Sequence, residues 1–272
     1  MKKDKFSILK SKKIEARKRQ YRLRIGLVAI TILVVALVLP PLVARIPLLE
    51  IRTVNVEGTK TIESSAIVDF VNAKLSETYL KVFPRDTYIT AGKGRLKEGL
   101  LNEYPAILDI KLSFHTPHIL LIEITEREPS VLWCAGSDNK NCYFADSQGF
   151  IYERAPEFSS PVYVVFRNGI KNENPMKQSI SGKTVFERIN VLEKNFSVLG
   201  LKVKEISFQP NEVVNFYLNH GALYISLRGD DKLTFDNLSS LLLNPKTDLR
   251  DGVGGIKNSY IDLRFGNKIF YK

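Results

Sequence analysis

The sequence contains few of the residues from which catalytic and metal sites are built. It has three histidines and two cysteines in 272 residues. His115 and His118 flank Pro117, and His220 precedes Gly221, so all three histidines are expected in turns rather than around a metal ion. Neither a G-x-S-x-G nor an H-E-x-x-H pattern occurs. We therefore predict no catalytic residue, metal, cofactor or small-molecule substrate, and a binding module is favoured over an enzyme.

A second long apolar run is also absent. Residues 25–44 carry no charge and would rise roughly 30 Å as a helix, the thickness of the hydrocarbon core. The next apolar stretches, at 119–124 and 238–243, have only the length of core elements. A cleaved signal peptide is the alternative, but its apolar stretch usually has about 7–15 residues and a small residue where Leu42 stands. We therefore predict one transmembrane helix over residues 25–44.

The positive charge of the chain is concentrated before this run. Residues 1–24 hold eleven Lys and Arg against two acidic residues, which is +9 of the net charge of +11. The positive-inside rule places this tail in the cytoplasm and the residues after the span outside the cell membrane. We expect the tail to bind anionic lipid. Nucleic-acid binding is the alternative, but Phe6 and Tyr21 are isolated and form no row of stacking aromatics.

The two cysteines, Cys134 and Cys142, lie in the predicted outer part. There, a cysteine pair more often forms a disulfide than a free dithiol, and their spacing suits a bridge across a hairpin loop. Half of a metal site is the alternative, but no other Cys or His lies near enough in sequence to supply the remaining ligands. A disulfide between these residues would be structural.

Beyond a short linker at residues 45–50, the outer part changes character near residue 128. Residues 51–127 follow the pattern strand, helix, helix, strand, strand, which favours a small sheet with helices on one face. Residues 128–272 contain short alternating strands and two helical stripes. We therefore predict an α+β fold with two outer domains, 51–127 and 128–272, the second a mixed antiparallel β domain with two helices.

Several short segments of the outer part occur in an order that resembles one known family. They are Val54–Gly58, Glu103–Pro105, Ile122–Pro129 with its E-R-x-P ending, Asp146–Gly149 and Tyr260–Phe265. Together with the basic tail and the single span, they resemble the FtsQ/DivIB bacterial cell-division proteins. Two features depart from the family: Phe265 stands where a Tyr is frequent, and Leu227–Asp231 matches its usual segment only loosely.

The resemblance implies a fold and a function. Residues 51–127 would be a POTRA module, and the protein would be a non-enzymatic scaffold of the divisome at the division septum. It would recruit small coiled-coil membrane proteins, FtsB/DivIC-like and FtsL-like, and help to control septal peptidoglycan synthesis. The alternative is a POTRA-bearing envelope transport or assembly factor, although such factors usually carry several POTRA modules or a β-barrel.

The last predicted strand, residues 268–271, has no sequence after it with which to pair. We expect it to be the edge of a sheet, with unpaired backbone N–H and C=O groups to which a partner segment adds as another strand. Arg264 would bind a partner carboxylate. The alternative is that Phe265 and Ile269 are core residues and Arg264 is solvated. The predicted partner-binding residues are Arg264, Phe265, Gly266, Lys268, Ile269 and Tyr271.

Overall fold

The computed structural model of the chain describes residues 3–43, 47–79, 83–136, 140–158, 162–170 and 174–272. Residues 1 and 2 of the predicted tail, residue 44 of the predicted span and residues 45 and 46 of the predicted linker lie outside the described residues. Two compact units are present, Met1–Thr125 and Glu126–Lys272. The division predicted from the sequence stood two residues later, after Arg127.

The chain begins with one long helix, α1 (Lys3–Val43). It joins most of the predicted basic tail to the predicted span, because the Lys, Arg, Ala and Gln residues of the tail are good helix formers. The stretch Lys18–Leu39 is long and apolar enough to cross a membrane, and among the described residues it is the one helix with this property.

The remainder of the first unit is a small three-stranded sheet with two helices. The elements are β1 (Thr53–Glu57), α2 (Ser64–Ser76), β2 (Thr78–Tyr79), β3 (Phe83–Pro84), α3 (Lys93–Glu103), β4 (Ile107–Thr116) and β5 (Ile119–Glu126). The strand order is β1-β5-β4, and β1 runs parallel to β5. A parallel pair needs a long crossover, which α2 and α3 supply. Their buried residues, Ile67, Val71, Leu75, Leu96 and Leu100, pack with those of the strands.

The second unit is built on a nine-stranded sheet. Its elements are β6 (Val131–Ala135), β7 (Asn141–Ala145), β8 (Ile151–Arg154), β9 (Val165–Arg167), α4 (Lys183–Val198), β10 (Val203–Gln209), β11 (Val213–Leu218), β12 (Ala222–Ser226), α5 (Asp231–Leu243), β13 (Tyr260–Phe265) and β14 (Lys268–Tyr271). The strand order is β14-β13-β12-β11-β10-β9-β6-β7-β8.

The sheet is mixed: five of its eight pairs of neighbouring strands are antiparallel and three are parallel. The pairs β6/β9, β9/β10 and β12/β13 are parallel. Because parallel neighbours need a crossover, the two helices serve as connections: α4 joins β9 to β10, and α5 joins β12 to β13.

Both helices of the second unit contribute to one core on one face of the sheet. α4 inserts Phe186, Ile189, Leu192 and Phe196 into this core, and α5 inserts Leu238 and Leu242. The strands contribute alternate residues such as Ile225 of β12 and Ile261 of β13. Since successive side chains of a strand point to opposite faces, the intervening residues form the opposite face of the sheet.

Candidate functional site

Strand β14 forms the open edge of the nine-stranded sheet. It pairs with β13 on one side, and among the described residues no strand lies on its other side. The opposite end of the sheet differs, because β8 is partly covered by the chain: Ile151 N–H donates to the Gln178 carbonyl at 2.8 Å, and Lys177 N–H donates to the Ile151 carbonyl at 2.9 Å. Strand addition by another chain is therefore easier at β14.

The ladder between β13 and β14 shows which backbone groups face outward. Lys272 and Tyr260 exchange hydrogen bonds of 3.3 and 3.4 Å, and Phe270 stands opposite Asp262. Because the groups facing a partner strand alternate along an antiparallel strand, the N–H and C=O of Ile269 and Tyr271 point away from β13. In the described part of the chain no other backbone group bonds to them.

A tight turn and a bulge shape this hairpin. The turn between the strands contains Gly266, whose φ of +64° lies in the left-handed region that favours glycine, and open space surrounds the position of a Cβ. Its carbonyl accepts a hydrogen bond from Asn237 Nδ2 of α5 at 2.7 Å. The register shifts by one residue between Asp262 and Phe265, so β13 carries one extra residue, a β-bulge that bends the edge.

The side chains of the hairpin are divided between the two faces. Ile269 is half-buried against the core on the helix side. On the opposite face Phe265 and Phe270 are 54% and 51% exposed, and their rings meet edge to face with centroids 5.5 Å apart. Lys268 is exposed, and Tyr271 is 48% exposed. The sequence reasoning missed Phe270, although alternation from Ile269 predicts that it faces away from the core.

Arg264 is already paired within the chain. Its Nε and Nη2 donate to the two carboxylate oxygens of Asp262 at 2.8 and 2.6 Å, and its backbone N–H donates to Oδ1 at 3.1 Å. Burial would raise the pKa of Asp262, but the hydrogen bonds from Arg264 outweigh it and hold the pKa below its ordinary value. A predicted bond to a partner carboxylate would therefore use the remaining guanidinium N–H groups.

Aromatic side chains continue from the hairpin across the open face. The register places in one row Asn215, Tyr224, Asp262 and Phe270. Tyr224 stacks on Tyr260, with ring centroids 5.3 Å and planes 17° apart. We call Tyr217, Tyr224, Tyr260, Phe265 and Phe270 the aromatic surface. The core formed by α4 and α5 lies on the other face, so neither helix covers the aromatic surface.

The two cysteines lie far from this edge along the sheet. Cys134 of β6 stands directly opposite Cys142 of β7, and a disulfide joins them. Both are buried with Leu132, Ala155 and Val165 in a small core on the face away from α4. Residues 137–139 of the loop between them are outside the described residues. The bridge closes a β-hairpin and is structural.

Comparison with known proteins does not identify a family. No family model matches the chain, and no curated protein matches it. Among the described residues no group of three or more His, Cys, Asp or Glu side chains could hold a metal ion. The open β14 edge and the side chains around it are therefore the candidate functional site.

Proposed function

We propose that the chain is a non-enzymatic divisome scaffold of the FtsQ/DivIB type, which captures a strand of a coiled-coil membrane partner at β14. The observation that carries this proposal is the open edge, with exposed Phe265, Phe270 and Tyr271 beside it. An unpaired strand with apolar anchors on its flanks is the surface on which another chain adds a strand.

Backbone bonds supply the affinity in this mode of binding. An added strand bonds to the outward N–H and C=O groups of Ile269 and Tyr271, each bond contributing about 0.5–1.5 kcal/mol. The rings of Phe265 and Phe270 then lie beside alternate side chains of the partner and select apolar residues there.

Charge selects the partner as well. Lys268 and Lys272 stand on β14 and at its end, and Arg264 lies across the hairpin. This positive edge favours a partner segment that carries Asp or Glu next to its apolar residues. The partners proposed on this basis and on the family resemblance are FtsB/DivIC-like and FtsL-like proteins.

The remaining parts of the chain have proposed roles in placing this edge. Helix α1 crosses the cell membrane with its basic end in the cytoplasm, where its Lys and Arg residues bind anionic lipid. The unit containing β1, α2, α3, β4 and β5 is a POTRA module outside the membrane, and the protein acts at the division septum. Support comes from the charge bias around the span and from the order of elements in that unit.

A proline at Tyr271 tests the proposal. Tyr271→Pro removes an outward N–H and leaves intact the bonds between β14 and β13, since proline is tolerated on an edge strand whose N–H faces solvent. Tyr271→Ala removes the same side chain and keeps the N–H. We expect the proline variant to bind the extracytoplasmic segment of the FtsB/DivIC-like partner about threefold to tenfold more weakly than the alanine variant.

The measurement is the dissociation constant, obtained by biolayer interferometry on the full chain in nanodiscs. Urea unfolding of both variants checks that the fold is equally stable. Equal affinities of two equally stable variants would show that the partner does not pair with this edge. Deleting residues 260–272 is a poorer test, because Ile261 and Leu263 belong to the core. Arg264→Glu is also unsuitable, since it places a second carboxylate beside Asp262.

A further inference from the structure

A cleft of about 230 Å³ lies between α4 and three neighbouring strands of the second unit. Its floor is apolar and consists of Val131 of β6, Phe166 of β9 and Ile206 of β10, all of them buried. Phe166 stands opposite Ile206 in the parallel β9/β10 pair. Since hydrogen-bonded strands hold these residues, the floor is a rigid part of the sheet.

One face of α4 supplies a polar wall to this cleft. Asn190, Glu193 and Lys194 line it, and their spacing of three and four residues places them together on the helix surface. Ser130 and Ser147 complete the polar lining. Asn190 and Glu193 are half-buried, whereas Lys194 is exposed, so that water screens its charge.

Three polar side chains of the lining form no hydrogen bond within the part of the chain that the structure describes. Among the described residues no hydrogen bond or ion pair involves the side chains of Asn190, Glu193 or Ser147. Burial raises the pKa of Glu193, and the nearby charge of Lys194 lowers it only in part. A half-buried carboxyl group that receives no hydrogen bond from the protein is only partly solvated, and a bound donor would lessen the cost of its burial.

We infer that this cleft binds a small primary amine with a short branched apolar body. The ammonium group donates to the Glu193 carboxylate and to the Asn190 amide oxygen, and the apolar body packs on Phe166 and Ile206. The cleft is smaller than the roughly 300–1,000 Å³ of pockets for drug-sized ligands. It suits a group of the size of one amino-acid side chain.

The test compares two probes with the same carbon skeleton, 3-methylbutylammonium chloride and 3-methylbutanol. Each is titrated into the full chain in detergent micelles with ¹³C-labelled isoleucine and valine methyl groups, and the methyl signals of Val131, Val164 and Ile206 are followed. We expect saturable shifts with the amine and a dissociation constant on the order of 1 mM, as befits about six non-hydrogen atoms. The alcohol should bind about tenfold more weakly.

Two variants distinguish binding of the amine at Glu193 from a general effect of negative charge on α4. Glu193→Gln keeps the shape of the side chain and should weaken amine binding about tenfold with little effect on the alcohol. Glu187→Gln removes a charge one to two turns away on α4, outside the cleft lining, and should change neither affinity. The inference is overturned if the amine produces no saturable shift, if both probes bind equally, or if Glu193→Gln binds like the unmodified chain. Unchanged methyl signals elsewhere show that the variants are folded.

Discussion

Replacing Arg264 by alanine tests whether this residue serves the fold. The Asp262 side chain is nearly buried and accepts two hydrogen bonds from the Arg264 guanidinium, so the substitution leaves its carboxylate with the backbone N–H alone. Breaking a buried ion pair by removing one partner costs roughly 3–5 kcal/mol. Because the guanidinium is 37% exposed, we expect a smaller loss, about 1.5–3 kcal/mol at pH 7.

The loss should depend on pH, with a sign that follows from Asp262. In the unmodified chain its folded pKa lies below the ordinary value, so its stabilising effect is present above about pH 4 and is lost as the pH falls through the folded pKa. Without Arg264, burial raises this pKa, and protonation relieves the buried charge. The difference in unfolding free energy between the two proteins is therefore largest near neutral pH and shrinks towards pH 3.

Urea unfolding of the full chain measures this difference. The single tryptophan, Trp133, lies in the second unit and reports its unfolding by fluorescence. Arg228→Ala is the matched control, because Arg228 and Glu212 form an ion pair that is mostly exposed and should contribute only about 0–1 kcal/mol. A loss at Arg264 no larger than at Arg228, or the same loss at pH 7 and pH 3.5, would refute the reasoning.

Two further predictions concern the interior of the second unit. Reducing the disulfide between Cys134 and Cys142 should lower the unfolding free energy by about 2.5 kcal/mol, because the closed loop is short; urea unfolding of the oxidised and reduced forms checks this value. Gly149→Ala should cost about 2–4 kcal/mol, since φ is +78° and the new Cβ would stand 2.7 Å from the Phe186 ring. Gly200→Ala, at φ +79° in the left-handed cap after α4 and with open space around it, should cost only about 1–2 kcal/mol, and similar midpoints in thermal unfolding would contradict the role of Phe186.

Local patterns in the sequence predicted much of the secondary structure. The stripe of Phe186, Ile189, Leu192 and Phe196 predicts a helix, and α4 covers it. Asp230 and Asp231 before a stripe of leucines both predict a helix cap, and it is the Asp230 carboxylate that accepts from the N–H groups of Lys232 and Leu233 at the start of α5. Such features depend on contacts between residues that are three or four positions apart. A sequence pattern can predict contacts at this short separation directly.

Features that depend on distant residues were not predicted. The parallel pairing of β12 with β13 brings together strands that α5 separates, and nothing in either strand's own pattern specifies its neighbour. The capping-box spacing of Thr184 and Glu187 predicts a helix that begins after Thr184, but α4 begins at Lys183 after Gly182, so that the side chain of Thr184 lies within the first turn. The cleft beside α4 was missed because its floor and wall come from separate parts of the chain.

The contact between Asp262 and Arg264 could be predicted from the sequence, but its structural role could not. Residues two apart on a strand share a face, so their contact was open to prediction from the sequence. Their burial was not, because it depends on the strands on either side. The sequence suggested that the Arg264 guanidinium binds a carboxylate of a partner. In the structure it forms an ion pair with Asp262 of the same chain.

An exposed edge strand can bind a partner, but it can also pair with the same edge of a second copy of the chain. Three features of β14 oppose such pairing. The strand has only four residues, the bulge in β13 bends the hairpin, and Lys268 and Lys272 place positive charge along the edge. Two copies would bring like charges together, whereas an acidic segment of a different chain would meet opposite charges. The residues that select a partner in the proposed function thus also oppose pairing between two copies of the chain.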